Sequence, residues 1–180
     1  MNDRGAFGFA GSGACGRRSA PDGIASAGQR AATSSNLQMF SVVALTDLQK
    51  RTQMQAYCSG QKHISQAPVF LAWIADLSRL ERICQARGTT QQAGMVENFL
   101  LACVDAVIAA QNAGLAAESM GLGFCYIGAI RNNPREVIQL LKLPHLTFPV
   151  VGMTLGWPVK EPMIRPRLPL EAILHWGAYN

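Results

Sequence analysis

The chain has 180 residues, 49% of them hydrophobic and 15% charged, and this composition excludes an intrinsically disordered protein. A chain of this length is expected to bury a single core. The net charge of +5 suits a phosphorylated ligand, but the basic residues form no dense run interleaved with aromatics, so a nucleic-acid partner is not expected.

Cysteine and histidine usage bears on compartment and metal binding. The five cysteines are widely spaced and contain no C-x-x-C pair, which is typical of a reducing compartment. The three histidines lack the short spacing of zinc ligands, so no metal site is predicted. The N-terminus has no apolar stretch long enough for a secretory signal, and we expect a cytoplasmic protein.

Residues 1–23 contain six glycines and show no hydrophobic periodicity, so they are predicted to be irregular, with one domain over residues 24–180. Residues 11–16 formally match the glycine fingerprint of dinucleotide-binding folds. That fingerprint needs a following helix, which Pro21 and Gly23 are expected to break, so this interpretation is not favoured.

The first predicted elements follow in chain order. A short helical stretch from Ile24 leads to a hydroxyl-rich turn at residues 32–36, and the Val-rich segment 40–45 is predicted to be a strand. A capping signal at 46–47 predicts a helix ending near Tyr57. Residues 67–75 read as a second, buried strand.

The longest periodic segment runs from Gln92 to Met120 and is apolar on nearly every side. Asp105, Gln111 and Asn112 would be costly in lipid, so a membrane span is not expected. A helix of this composition must be buried on all faces. The sequence leaves open whether its own domain or a second subunit covers it.

Glycines at 121 and 123 predict the end of this helix, and 124–127 is predicted to be a strand. Asn133, as an N-cap before a proline, predicts a helix running to about Leu141.

Residues 148–155 are the last predicted strand, before a proline-rich loop. Helices and strands alternate without a strict βαβ repeat, which predicts an α+β fold: a central mixed or antiparallel sheet flanked by helices.

Four clusters occur in an order and spacing that resemble the nitroreductase superfamily over about residues 24–175. They are Thr33–Gln38, Gly60–His63, Gly121–Arg131, and Gly156-Trp157-Pro158 followed by Arg165–Pro169. The resemblance is greatest to the oxygen-insensitive NADPH nitroreductases and NADPH-flavin oxidoreductases. It implies a nitroreductase-like fold and a homodimer that binds FMN at the subunit interface.

The activity implied by the resemblance is reduction of FMN by NADPH or NADH, followed by reoxidation by a nitroaromatic, a quinone or a free flavin. No catalytic side chain is then expected, because the flavin carries the chemistry. The resemblance also assigns cofactor-binding residues: Arg18, Ser19, Thr33, Ser34, Ser35, Gln61, Tyr126, Ile127, Gly128, Arg165 and Arg167.

Each assigned group has a role that its chemistry permits. Arg165 and Arg167 would hold the phosphate, since two guanidinium groups on a proline-stiffened loop suit a dianion. The hydroxyls of 33–35 would contact phosphate and ribityl chain, Gln61 the pyrimidine half of the flavin, and 126–128 the edge of the ring. Without the resemblance, these residues would read as turn residues, a core tyrosine and a solvated basic loop.

The chain also departs from the family pattern. Residues 16–19 look like a remnant of the Gly-His-Arg-Ser motif, with Arg17 in place of the histidine, and Ala129 stands where a second glycine is usual. The chain stops at Asn180, where close relatives are expected to continue. Two alternatives therefore stay open: an FMN-binding or dimer-forming module without NAD(P)H recognition, and a truncated product that does not fold stably.

Overall fold

The computed structural model of the chain describes residues 9–10, 19–91, 94–159 and 164–179. Within these ranges lie six helices: α1 Ser19–Gln29, α2 Leu48–Tyr57, α3 His63–Gln66, α4 Ser78–Ala86, α5 Val96–Ser119 and α6 Pro134–Leu141. The strands of the same ranges are β1 Phe9–Ala10, β2 Phe40–Leu45, β3 Val69–Asp76, β4 Gly123–Ile127 and β5 Thr147–Pro158. The predicted α+β class is confirmed.

The sheet is antiparallel at every described pairing. β3 and β4 flank β5, β2 lies outside β3, and β1 pairs with the last residues of β5. The described strands therefore form no βαβ unit, which is the context that the dinucleotide fingerprint requires. The fingerprint itself, residues 11–16, lies outside the described residues.

Helices cover both faces of the sheet, and this explains why β3 is buried along its whole length. One set of alternating β3 side chains, including Leu71 and Trp73, packs with α1 and α5. The other set, including Phe70 and Ile74, packs with α2, α3 and α6. The apolar run predicted as a buried strand thus serves two cores, one on each side.

The predicted irregularity of residues 19–23 is wrong, because α1 begins at Ser19. Pro21 is the third residue of this helix, and the first turn of a helix tolerates proline since its N–H groups have no intrahelical acceptor. Gly23 lies within the helix as well. Ile24, fully buried against α5, anchors α1 to the core.

The two predicted helix starts have different outcomes. Asp47 caps α2 as predicted, accepting a hydrogen bond from the Lys50 amide at 2.9 Å. α6 also begins where expected, at Pro134, but the side chain of Asn133 makes no capping bond. It donates instead to the carbonyl oxygen of Tyr57, at 2.6 Å.

Helix α5 turns a row of small residues toward the sheet and α1. The buried members of that row are Ala102, Ala106, Ala109, Ala110, Ala113, Gly114 and Ala117. The approach to α1 is close: a methyl group added at Gly28 would lie 2.9 Å from the carbonyl oxygen of Ala109. The opposite side of α5 is exposed, so the expectation of burial on all faces is not met by this chain alone.

Two helices, α3 and α4, were not predicted from the sequence. Asp76, the last residue of β3, accepts hydrogen bonds from the backbone amide and hydroxyl of Ser78 at 3.0 and 2.6 Å. Burial alone would raise the pKa of Asp76, but hydrogen bonds from Ser41 and Ser78 and the charge of Arg79 hold it below its ordinary value. A strand-terminal carboxylate therefore starts α4.

Replacing Gly114 with alanine tests the close packing of α5. The added methyl group would lie 2.7 Å from Cζ of Phe124. We expect a loss of about 1–3 kcal/mol in the free energy of unfolding, measured by urea denaturation, because overpacking outweighs the better helix propensity of alanine. Gly23→Ala is the matched control, since nothing lies within 4 Å of a methyl group there. A Gly114→Ala protein as stable as the unsubstituted chain would contradict this packing.

Candidate functional site

The turn before β2 is held by a buried carboxylate on α5. Oδ2 of Asp105 accepts from the Thr33 hydroxyl at 2.5 Å and from the Met39 amide at 3.1 Å. Oδ1 accepts from the Ser34 amide at 3.0 Å. Helix α5, through this one carboxylate, thus fixes both ends of the turn, residues 33–39.

The backbone of the turn is strained. Ser35, Asn36 and Gln38 have φ values of 49°, 56° and 51°, in the left-handed region that side chains other than glycine seldom adopt. Each such residue costs about 1 kcal/mol or more, and the cost persists only where surrounding contacts impose it. The Gln38 amide also donates to the Thr33 hydroxyl at 2.9 Å, which closes the turn on itself. Ser35 is exposed to solvent.

These bonds define what each hydroxyl can still do. The hydroxyl of Thr33 has given its hydrogen to Asp105 and one lone pair to Gln38, so one acceptor position remains. Ser34 uses its backbone amide for Asp105, and its side chain is half-buried. Ser35 presents its hydroxyl to solvent.

The Gln61 loop and the segment after β4 are brought together. The side-chain amide of Asn132 donates to the Ser59 hydroxyl at 2.8 Å, and the side-chain amide of Asn133 donates to the Tyr57 carbonyl oxygen at 2.6 Å. The side chains of two consecutive asparagines therefore join the segment after Gly128 to the C-terminal end of α2 and the residues that follow it. Gln61, half-buried, lies two residues beyond Ser59.

Arg51 holds the other side of the Gln61 loop. Its guanidinium group, buried on α2, donates to the carbonyl oxygens of Ser65 and Ala67. Burial lowers the pKa of Arg51, an effect that the Asp47 carboxylate partly opposes. The loop is thus tied down both before and after Gln61.

Tyr126 lies on β4 with its side chain 37% exposed. Its hydroxyl donates to Oε1 of Gln111 on α5 at 3.2 Å, and its ring meets Phe124 edge-on. Burial raises the pKa of Tyr126 above its ordinary value. Helix α5 therefore orients this residue as well as the 33–39 turn.

Ile127 is buried, and an exposed Gly128 begins a short 3-10 helix over Gly128–Arg131. A methyl group at Gly128 would meet only Nη2 of Arg131, at an ordinary 3.5 Å, so the chain itself does not require glycine there. Ala129 lies within the 3-10 helix and has no positive φ, so a side chain is accommodated at this departure from the family pattern.

Within one chain, Arg165 and Arg167 have no described contact with the 33–39 turn, the Gln61 loop or the segment after β4. Arg165 and Arg167 are exposed, and the hydrogen bonds of Arg167 go to the carbonyl oxygens of Arg165 and Pro166, in its own segment. Among the described residues, neither forms an ion pair. Ser19 is the first residue of α1, and Arg18 lies outside the described residues.

Sequence reasoning missed the residues that support the site. The sequence analysis used Asp105 only as an argument against a membrane span. A lone acid within an apolar helix also indicates a buried polar contact, because aspartate is rarely buried without partners. Gln111 was read in the same way. Asn132 and Asn133 carried no sequence signal for hydrogen bonds to residues more than seventy positions away in the chain.

Comparisons with known proteins agree with this architecture. The Nitroreductase family model matches residues 22–157. The chain is 42% identical over 159 residues to the oxygen-insensitive NADPH nitroreductase of Salmonella typhimurium, covering 88% of this chain and 65% of that protein. It is 34% identical over 161 residues to the FMN reductase (NADPH) of Bacillus subtilis, covering 88% of this chain and 65% of that protein.

A solved structure, the NADPH:FMN oxidoreductase from Vibrio harveyi complexed with NAD⁺, superposes with a TM-score of 0.86 at 36% identity, covering 97% of this chain and 73% of that one. The chain spans slightly less than two thirds of the length of the curated relatives it matches. The predicted resemblance is confirmed, and the chain belongs to the nitroreductase family.

Proposed function

We propose that the chain is an FMN-dependent oxidoreductase, reduced by NADPH or NADH, that reduces nitroaromatics, quinones or flavins. The observation that carries the proposal is the fastening of the Gln61 loop to the segment after Gly128 by Asn132 and Asn133. Gln61 and Gly128 then lie on adjoining loops, which supports the proposal that both contact one flavin. The names of the relatives, an NADPH nitroreductase and an FMN reductase (NADPH), support the same reaction.

The available donors suit FMN. Arg165 and Arg167 are exposed and form no ion pair among the described residues, so two guanidinium groups are ready for a phosphate dianion. The hydroxyls of Ser34 and Ser35 would add neutral donors. Gly128 is exposed and free of steric demands from its own chain, which leaves room for a planar ring beside its backbone.

Each remaining residue has a stated role in the proposal. Gln61 would hydrogen bond to the pyrimidine half of the ring, and Tyr126 and Ile127 would line its edge. Thr33 would accept from a ribityl hydroxyl, since its own hydrogen is committed to Asp105. Arg18 and Ser19 would be further cofactor contacts, a role that rests on the family resemblance alone.

Bound FMN supplies hydride acceptance and donation in this class of enzyme. The chain's own residues therefore bind and orient, and no side chain is assigned as acid, base or nucleophile. The reaction requires that one face of the flavin ring be open, because the hydride donor and the acceptor must each approach the ring within about 3–3.5 Å.

We further propose that the protein is a homodimer and that the outer side of α5 forms part of its interface. The apolar residues exposed along that side are Val96, Leu100, Val104, Val107, Ile108 and Leu115. By length and hydropathy α5 also qualifies as a membrane span. Its inner side, however, is built into the domain, with Asp105 bonded to the 33–39 turn, so a protein partner is the better match.

A cytoplasmic location belongs to the same proposal. Cys58, Cys84, Cys103 and Cys125 are all free thiols in the described part of the chain. Burial raises the pKa of Cys58 to about 12, so that thiol stays protonated and unreactive at neutral pH. Free cysteines in this number suit a reducing compartment.

Removing both loop arginines tests the phosphate site. Arg165→Ala/Arg167→Ala should weaken FMN binding by about tenfold or more, because two charge-assisted contacts are lost. Quenching of flavin fluorescence during titration measures the Kd. Arg82→Ala/Arg135→Ala is the matched control, since it removes the same charge from exposed sites on α4 and α6. Equal Kd values for the two double variants would remove the phosphate role.

A charge on the outer side of α5 tests the interface. Val104→Asp, at a position that is 52% exposed, should convert a dimer into a monomer of 19.4 kDa by size-exclusion chromatography with light scattering. The carboxylate would have to be desolvated in the interface. Ile83→Asp on α4 is the control, because a residue of similar exposure should leave the dimer intact. A monomeric unsubstituted chain, or a dimeric Val104→Asp protein, would contradict the proposal.

A further inference from the structure

Asp105 is a buried carboxylate that the packing of α5 does not need. It is 1% exposed, and its neighbours along the inner side of the helix include Ala102, Ala106 and Ala109. Small residues alone would pack there. Within the described residues, Asp105 forms no ion pair, so its burial is offset by hydrogen bonds rather than by a cation.

All three of those hydrogen bonds come from one turn. The donors are the Thr33 hydroxyl and the amides of Ser34 and Met39, at 2.5, 3.0 and 3.1 Å. They belong to residues more than sixty positions away along the chain. The carboxylate therefore fixes the turn to α5, and among the described residues all of its hydrogen bonds come from this turn.

The turn needs such a support because its conformation is unfavourable by itself. Ser35, Asn36 and Gln38 all have positive φ, and none of them is glycine. Strain of this kind is retained where surrounding contacts over-determine the backbone, and it is found preferentially at binding sites. Ser35 and Asn36 are exposed, and Ser34 and Gln38 are half-buried, so this side of the turn is accessible to the proposed cofactor.

We propose that Asp105 is a positioning residue for FMN, which sets the direction of the Ser34 and Ser35 hydroxyls and turns the Thr33 hydroxyl inward. This inference rests on the proposed function. It concerns geometry rather than attraction, because a carboxylate repels a phosphate. Removing its charge while keeping its shape therefore separates the two effects: loss of positioning weakens FMN binding, whereas loss of repulsion alone strengthens it.

Asp105→Asn is the central variant. An amide has only one oxygen. In either orientation, therefore, its NH₂ group faces a backbone N–H, that of Ser34 or that of Met39, which donates to the carboxylate in the unsubstituted chain. We expect the Kd for FMN to rise about tenfold, since a buried donor is left unpaired. Ala113→Gly is the control on the same helix: it loosens α5 by a helix-propensity cost without touching the turn.

Two further substitutions show whether Asp105 acts through Thr33. Thr33→Val keeps the shape and loses the hydroxyl, and it should weaken FMN binding, whereas Thr33→Ser keeps the hydroxyl and should restore binding to within about twofold of the unsubstituted chain. Combined with Asp105→Asn, Thr33→Val should weaken binding by less than it does alone, because both changes alter the contact between Asp105 and the turn, and only the acceptor positions of the Thr33 hydroxyl are lost in addition. Independent effects that multiply would overturn action through Thr33.

Amide hydrogen exchange of the FMN-free protein supplies a readout independent of the cofactor. In Asp105→Asn, exchange should accelerate in residues 33–39 and stay unchanged in β3 and α2. A Kd for FMN that is unchanged or lower, or one raised equally in Ala113→Gly, overturns the inference. If the unsubstituted chain takes up no FMN, the proposed function fails. Independently of FMN, amide exchange in residues 33–39 that is unaltered in Asp105→Asn overturns the role of Asp105 in holding the turn.

Discussion

Helix α5 can lie against the sheet because the side it turns inward carries alanine and glycine. Their small side chains let α1 and β3 approach closely, and the fully buried Trp73 fills the space between them. A single polar residue, Asp105, interrupts this row and reaches the turn before β2. The same helix therefore organises the core, holds one loop of the candidate site and presents an apolar outer side to a partner.

The site is assembled on several supports rather than one. Asp105 and Gln111 are six residues apart, about 9 Å along the helix axis, and they hold the 33–39 turn and Tyr126 respectively. Arg51, with Asn132 and Asn133, fastens the Gln61 loop on the far side of the sheet. Hydrogen bonds between distant segments thus position each of these loops. The exposed Arg165 and Arg167, by contrast, have no described hydrogen bond to any of the loops within one chain.

Much of this fold was readable from local sequence. The Val-rich β2, the Asp47 cap of α2 and the helix end at Gly121, whose φ is 75°, each follow from propensities of adjacent residues. The start of α1 was not readable, because a proline that breaks a helix interior is harmless in its first turn. The roles of Asp105 and Asn133 were hidden for a different reason. Their partners lie far away in sequence, and only the folded chain decides whether a polar side chain caps its own helix or binds another element.

The central claim is that this chain binds FMN and passes reducing equivalents through it, and an anaerobic visible spectrum tests it most directly. The purified protein reconstituted with FMN should show flavin absorbance after desalting, lose it when NADPH or NADH is added without air, and regain it on addition of a quinone. A colourless protein would contradict the claim. Bound flavin that neither nucleotide bleaches would contradict the reductase and leave a flavin-binding module in its place.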